Sequence, residues 1–128
     1  MPILNRILYV EDDLSIQKIA RIALERIGKF DVKICSSGKE ALEIVSEYNP
    51  DLVLLDVMMP NMDGPTILKE LRKIDKFVLT PVIFMTAKVQ APEVQRYKEL
   101  GALDVIVKPF SPTNLSSQIT ELWRKHHE

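Results

Sequence analysis

Hydrophobic positions along the chain follow two alternating rhythms. Ile7–Val10, Leu52–Leu55, Val82–Met85 and Val105–Val107 are short continuous apolar runs. Such runs predict strands buried on both faces, as in a parallel sheet covered by helices. Asp31–Cys35 differs, because Asp31 and Lys33 alternate with Val32 and Ile34. One wet face predicts a strand at the sheet edge.

Helical stripes lie between these runs. Ile16, Ile19, Ala20, Ala23, Leu24 and Ile27 form one, stopped by Gly28. Ala41, Leu42, Val45 and Tyr48 form a second, opened by the capping box Ser37-x-x-Glu40. Ile67, Leu68, Leu71 and Ile74 form a third, with Pro65 in its first turn. A weaker fourth spans Pro92 to Leu100 and stops at Gly101. Leu115, Ile119 and Leu122 form the fifth, for which Ser111 is the expected N-cap and Pro112 the first helical residue. Strand and helix therefore alternate five times, which predicts a doubly wound α/β domain with a parallel sheet. An edge position for the second strand fits the order 2-1-3-4-5. That order puts a topological switch point between strands 1 and 3, where ligands of such sheets bind.

Acidic residues gather at that point. Strand 1 runs into Glu11, Asp12 and Asp13, and strand 3 into Asp56. Asp13 is expected to cap the helix that starts at Leu14. Two carboxylates ~5 Å apart repel by roughly 3 kcal/mol at an effective dielectric of 20. Glu11, Asp12 and Asp56 together therefore call for a cation. An all-oxygen donor set favours a hard ion, and Mg²⁺ is the usual one where phosphate is involved. Strand 4 leads into Thr86 and Ala87, and strand 5 into Lys108 and Pro109. Carboxylates, a metal, a hydroxyl and a lysine around one crevice are the parts of a phosphoryl-transfer site.

Composition narrows the field. Of 128 residues 46% are hydrophobic and 27% charged, so the chain can hold a core. A net charge of −1 supplies no basic field for nucleic acid or an anionic membrane. The single cysteine, Cys35, excludes a disulfide framework and fits a reducing compartment. No apolar run nears the ~20 residues of a membrane span. The opening MPILNRILYVEDD turns acidic too soon for a signal peptide. A cytoplasmic location is expected.

Four stretches, ILYVEDD, PDLVLLDVMMPNMDG, PVIFMTA and GALDVIVKPF, together resemble the receiver domain of bacterial two-component response regulators, over essentially the whole chain. The resemblance implies a flavodoxin-like (βα)5 fold with sheet order 2-1-3-4-5, and residues 1–128 as a single receiver domain. It implies that Asp56 is the phosphoacceptor. Asp12 would bind Mg²⁺ directly, Glu11 through water, and the main-chain carbonyl of Met58 would be a further ligand. Lys108 would pair with the phosphoryl oxygens, Thr86 would be the switch hydroxyl, and Ala87 would leave room for it. Lys108-Pro109 would be cis, and Pro60 and Gly64 would shape the loop after Asp56. The implied partners are a sensor histidine kinase or phosphotransfer protein, a downstream output protein or domain, and a phosphorylation-linked second copy. Neither nucleic acid nor membrane would be bound directly. Such a chain is a signalling protein, with only self-phosphotransfer and autodephosphorylation as chemistry.

Val105 departs from the family pattern, which usually has Tyr or Phe three residues before the lysine. Switching is then expected in the Thr86–Lys88 loop and at the start of the fourth helix. Tyr97 is expected to be a half-exposed helix residue, and Met58, Met59 and Trp123 packing residues. Two other classes compete with the receiver. A small Mg²⁺-dependent phosphohydrolase typically has a second Asp two residues after its nucleophile, where this chain has Met58. A flavodoxin-like cofactor binder needs a hydroxyl- or glycine-rich loop after strand 1, where this chain has EDDLS.

Overall fold

The computed structural model describes residues 2–87 and 90–128. Lys88, at the end of the loop expected to switch, lies outside them. Five strands among the described residues form one parallel sheet: β1 (Arg6–Val10), β2 (Asp31–Cys35), β3 (Leu52–Asp56), β4 (Val82–Thr86) and β5 (Asp104–Val107). Their order is β2-β1-β3-β4-β5, as expected. The four apolar runs and the alternating Asp31–Cys35 stretch locate all five, and the four runs each extend by a residue at one end.

Helices cover both faces. On one side α2 (Gly38–Tyr48), α3 (Gly64–Leu71) and α4 (Ala91–Glu99) pack over Leu8, Val10, Val53, Leu55, Val82 and Phe84. On the other, α1 (Leu14–Arg21) and α5 (Leu115–His126) pack over Ile7, Tyr9, Leu52, Leu54, Ile83 and Met85. Alternation along each strand sends successive side chains to opposite layers, so the interior strands read as unbroken apolar runs. Only β2 shows an alternating exposed and half-buried pattern, as an edge strand should.

Local signals set most helix ends. Asp13 Oδ1 accepts from the N–H groups of Ser15 (2.8 Å) and Ile16 (3.2 Å), the expected cap of α1. Ser37 Oγ accepts from Glu40 N–H at 3.1 Å. The Glu40 carboxylate reaches back to Ser36 N–H rather than to that of Ser37, so the capping box is offset by one residue. Gly101, at φ +114°, ends the α4 region in a conformation that favours glycine.

Three expectations are corrected. Helix α1 continues as a π-helical segment over Ile22–Ile27. There Gly28 N–H bonds to Ala23 O, and the Ser116 hydroxyl donates to the same carbonyl at 2.6 Å. Helix α5 starts at Leu115, with Asn114 in the cap position, not at Pro112. Ser111 instead closes a turn: its carbonyl accepts from Asn114 and Leu115 N–H, and its hydroxyl pairs with that of Thr113. Tyr97 is buried rather than half-exposed, its ring edge-on to Phe84 with centroids 5.1 Å apart.

Candidate functional site

Three of the chemical groups are brought to the carboxyl end of the sheet by strand ends. Glu11 follows β1, Asp56 is the last residue of β3, and Lys108 follows β5. Period-two alternation puts Glu11 on the same side as Ile7 and Tyr9, and Asp56 on the same side as Leu52 and Leu54. Both carboxylates therefore open toward α1 and α5. Glu11 and Asp56 are buried, while Asp12 is exposed.

The lysine ties the acids together. Lys108 Nζ lies 3.1 Å from Glu11 Oε1 and 3.2 Å from Asp56 Oδ1. Asp56 Oδ1 also accepts from Met58 N–H at 3.2 Å. Glu11 Oε1 accepts a second bond from the Tyr9 hydroxyl, and Oε2 accepts from Asp13 N–H at 3.2 Å. The Gln17 amide donates to Glu11 O and to Ser36 Oγ. Thr86 is buried at the end of β4, and its carbonyl accepts from Lys108 N–H at 2.7 Å. Lys108-Pro109 is cis, as expected. Ala87 is exposed beside Lys108 in a groove.

Charge balance at this site favours a further cation. Burial first, then the neighbouring Asp56, pushes the Glu11 carboxyl above its usual range, outweighing the bonds from Lys108 and Asp13. Burial alone would lower the Lys108 ammonium, but its bonds and attraction to Glu11, followed by those to Asp56, raise it instead. Burial and then the Glu11 charge push the Tyr9 phenol far up, so it stays a proton donor. Oxygen atoms of Glu11, Asp12 and Asp56 all lie within 4.8 Å of one another. Three carboxylates against one ammonium leave a net negative cluster of oxygen donors, a fit for a hard divalent ion such as Mg²⁺.

The structure thus brings Glu11, Asp12, Asp56, Thr86 and Lys108 to one end of the sheet. Met58 is 78% exposed, which corrects its expected packing role, while Met59 packs against the core and Trp123 is buried. Sequence reasoning missed Tyr9 and Gln17. The signal for Tyr9 was available: it lies two residues before Glu11, hence on the same side of β1.

The response regulator receiver domain model matches residues 7–120. The chain belongs to this family. It is 42% identical to the probable transcriptional regulator ycf27 of Cyanophora paradoxa over 94% of its length and 49% of that protein. It is 38% identical to the alkaline phosphatase synthesis transcriptional regulatory protein PhoP of Bacillus subtilis, over 94% of this chain and 49% of the relative. The chain spans about half the length of the curated relatives it matches. Among solved structures, chemotaxis protein CheY4 of Vibrio cholerae superposes with a TM-score of 0.86 at 28% identity, covering 94% of this chain and 99% of that one. This is the receiver domain of a two-component response regulator, a regulatory fold rather than a metabolic enzyme. Among the described residues no helix is long and apolar enough to cross a membrane.

Proposed function

We propose that this receiver accepts a phosphoryl group on Asp56 from the phosphohistidine of a sensor kinase or phosphotransfer protein, with residues 1–128 acting as one cytoplasmic unit. The observation that carries this reading is the buried Asp56 carboxylate held 3.2 Å from Lys108 Nζ beside the Glu11–Asp12 pair. An Asp56 oxygen attacks phosphorus in line; the new bond is O–P and the broken bond is the donor's N–P, the imidazole taking up a proton as it leaves. Lys108 offsets the charge on the phosphoryl oxygens, and Thr86 stands at the neighbouring strand end to meet them. Glu11, Asp12, Asp56 and the Met58 carbonyl would hold Mg²⁺, which when bound supplies further positive charge to those oxygens.

The donor protein docks beside the site. An apolar groove lined by Ile16, Ile19, Pro109 and Phe110 opens next to Ala87 and Lys108, and Ile19 is 43% exposed. Two of the relatives are named as transcriptional regulators, which favours an output domain acting on transcription, and we place its control at the α4-β5-α5 face. The same face could pair two phosphorylated copies.

The deciding experiment is intact mass spectrometry after incubation with a small acyl-phosphate donor and Mg²⁺. One added phosphoryl group is expected on the parent and none on Asp56→Asn. Equal labelling of the variant would overturn the assignment.

A further inference from the structure

Tyr9 is 0% exposed, within the apolar layer that also holds Ile7, Leu54 and Met85. A phenylalanine ring would fill that place without carrying a hydroxyl into it. A buried hydroxyl costs stability unless it is hydrogen-bonded. This one has a specific acceptor, Glu11 Oε1, at 3.1 Å. The bond joins a residue of β1 to the carboxylate just beyond its end.

Glu11 is held at both oxygens. Oε1 takes the Tyr9 hydroxyl and Lys108 Nζ, while Oε2 takes Asp13 N–H. These donors are not equivalent. Lys108 is shared with Asp56, sits on a flexible four-carbon stem, and is the group that turns toward a phosphoryl oxygen in the reading above. The tyrosine ring is locked in the core and has no competing role. If Lys108 moves toward a phosphoryl oxygen, the Tyr9 hydroxyl is the donor expected to remain on Oε1.

We propose that Tyr9 is a positioning residue for the divalent-cation cluster: its hydroxyl orients the Glu11 carboxylate toward Asp12 and Asp56. This rests on the reading that Glu11, Asp12 and Asp56 hold Mg²⁺. Residues that hydrogen-bond a metal-binding carboxylate tune affinity without touching the ion.

The test is calorimetric titration with Mg²⁺ of the parent, Tyr9→Phe, Glu11→Ala and the double variant. Tyr9→Phe is expected to bind Mg²⁺ about three- to tenfold more weakly. Its melting temperature in EDTA should stay near the parent's, and its labelling rate should recover at saturating Mg²⁺. In the Glu11→Ala background the tyrosine substitution should have no further effect, because the two act through one contact. Parent-like affinity in Tyr9→Phe overturns the proposal. So does a loss that persists undiminished without Glu11, or failure of Tyr9→Phe to fold, since either makes the hydroxyl a packing feature. A parent that binds no Mg²⁺ overturns this proposal and the cation reading together, whereas a parent that binds it while Tyr9→Phe is unaltered overturns only the role of Tyr9.

Discussion

Lys108 holds two buried carboxylates apart from each other's charge. Replacing it with alanine leaves Glu11 and Asp56 facing each other with no ammonium between them. Repulsion of that kind is worth roughly 3 kcal/mol at full charge and an effective dielectric of 20, and relaxation discounts it. Lys108→Ala is therefore expected to lose about 1–3 kcal/mol at neutral pH. The sign with pH follows from Glu11. Its carboxyl is already raised in the folded state by burial and then by Asp56. Without the lysine it rises further, so the folded variant binds a proton that the unfolded chain releases. Its stability should then climb as pH falls toward the ordinary glutamate range. In the parent, the raised Lys108 contributes stability that is complete below the ordinary lysine value and lost only as pH rises beyond it. Urea unfolding at pH 7 and pH 5 should show the gap between parent and variant narrowing at the lower pH. Asp12 has the opposite balance. It is exposed, and its oxygen lies within 4.8 Å of those of the two buried acids. On the proposed Mg²⁺ reading, Asp12→Ala removes a repulsion and a cation ligand at once. In EDTA the variant should melt at or above the parent's temperature, while its Mg²⁺ affinity falls at least tenfold.

The β3–α3 loop connects the strand bearing Asp56 to a helix, and Gly64 sets how close they come. A Cβ at this position would lie 2.8 Å from Asp56 O and 3.1 Å from Val57 Cα, both backbone atoms that cannot turn aside. Gly64→Ala should cost about 1–3 kcal/mol and slow labelling of Asp56, measured by thermal melts and mass spectrometry on one sample. Elements whose residues are buried by simple periodicity were legible in the sequence in this way. The runs around Leu8, Leu54 and Phe84 located strands because both layers of the sheet demand apolar side chains. The gathering of Glu11, Asp12, Asp56 and Lys108 was legible too, because these groups sit at strand ends that the topology brings together. The π-helical segment was not. The spacing of Ala20, Ala23 and Leu24 is the same for a helix that stays regular, and the widened segment is where Ser116, 93 residues away, donates to Ala23 O. The start of α5 failed for a similar reason. Ser111 and Pro112 form a plausible cap on their own, but here the Ser111 hydroxyl engages Thr113. Tyr97 lies on a helix that is polar overall, so nothing local announces that Phe84 across the layer buries it.

At the scale of the whole molecule, strand alternation assigns the two buried carboxylates and Thr86 to different layers of the sheet. Glu11 and Asp56 open toward the α1 and α5 layer. Thr86 follows Val82 and Phe84 in alternation and so belongs to the layer under α2, α3 and α4. If the proposed phosphoryl group on Asp56 draws Thr86 toward it, the opposite layer is expected to be disturbed. That layer also holds Phe84, two residues earlier on β4, whose ring meets Tyr97 of α4 with centroids 5.1 Å apart. Val105 packs half-buried against the same cluster, and a short β-branched side chain there has little room to swing. On the proposed reading, the path from site to surface is expected to enter the α4-β5-α5 face at α4, through the Phe84–Tyr97 contact. Addition of a beryllofluoride phosphoryl mimic with Mg²⁺ should shift the amide resonances of residues 91–100 more than the Val105 methyls. Tyr97→Leu should shrink those α4 shifts while leaving Asp56 labelling intact, because it removes the ring contact and no part of the acid cluster. If the Val105 methyls instead move most while α4 stays still, the aliphatic residue is the moving part and Tyr97 is only packing.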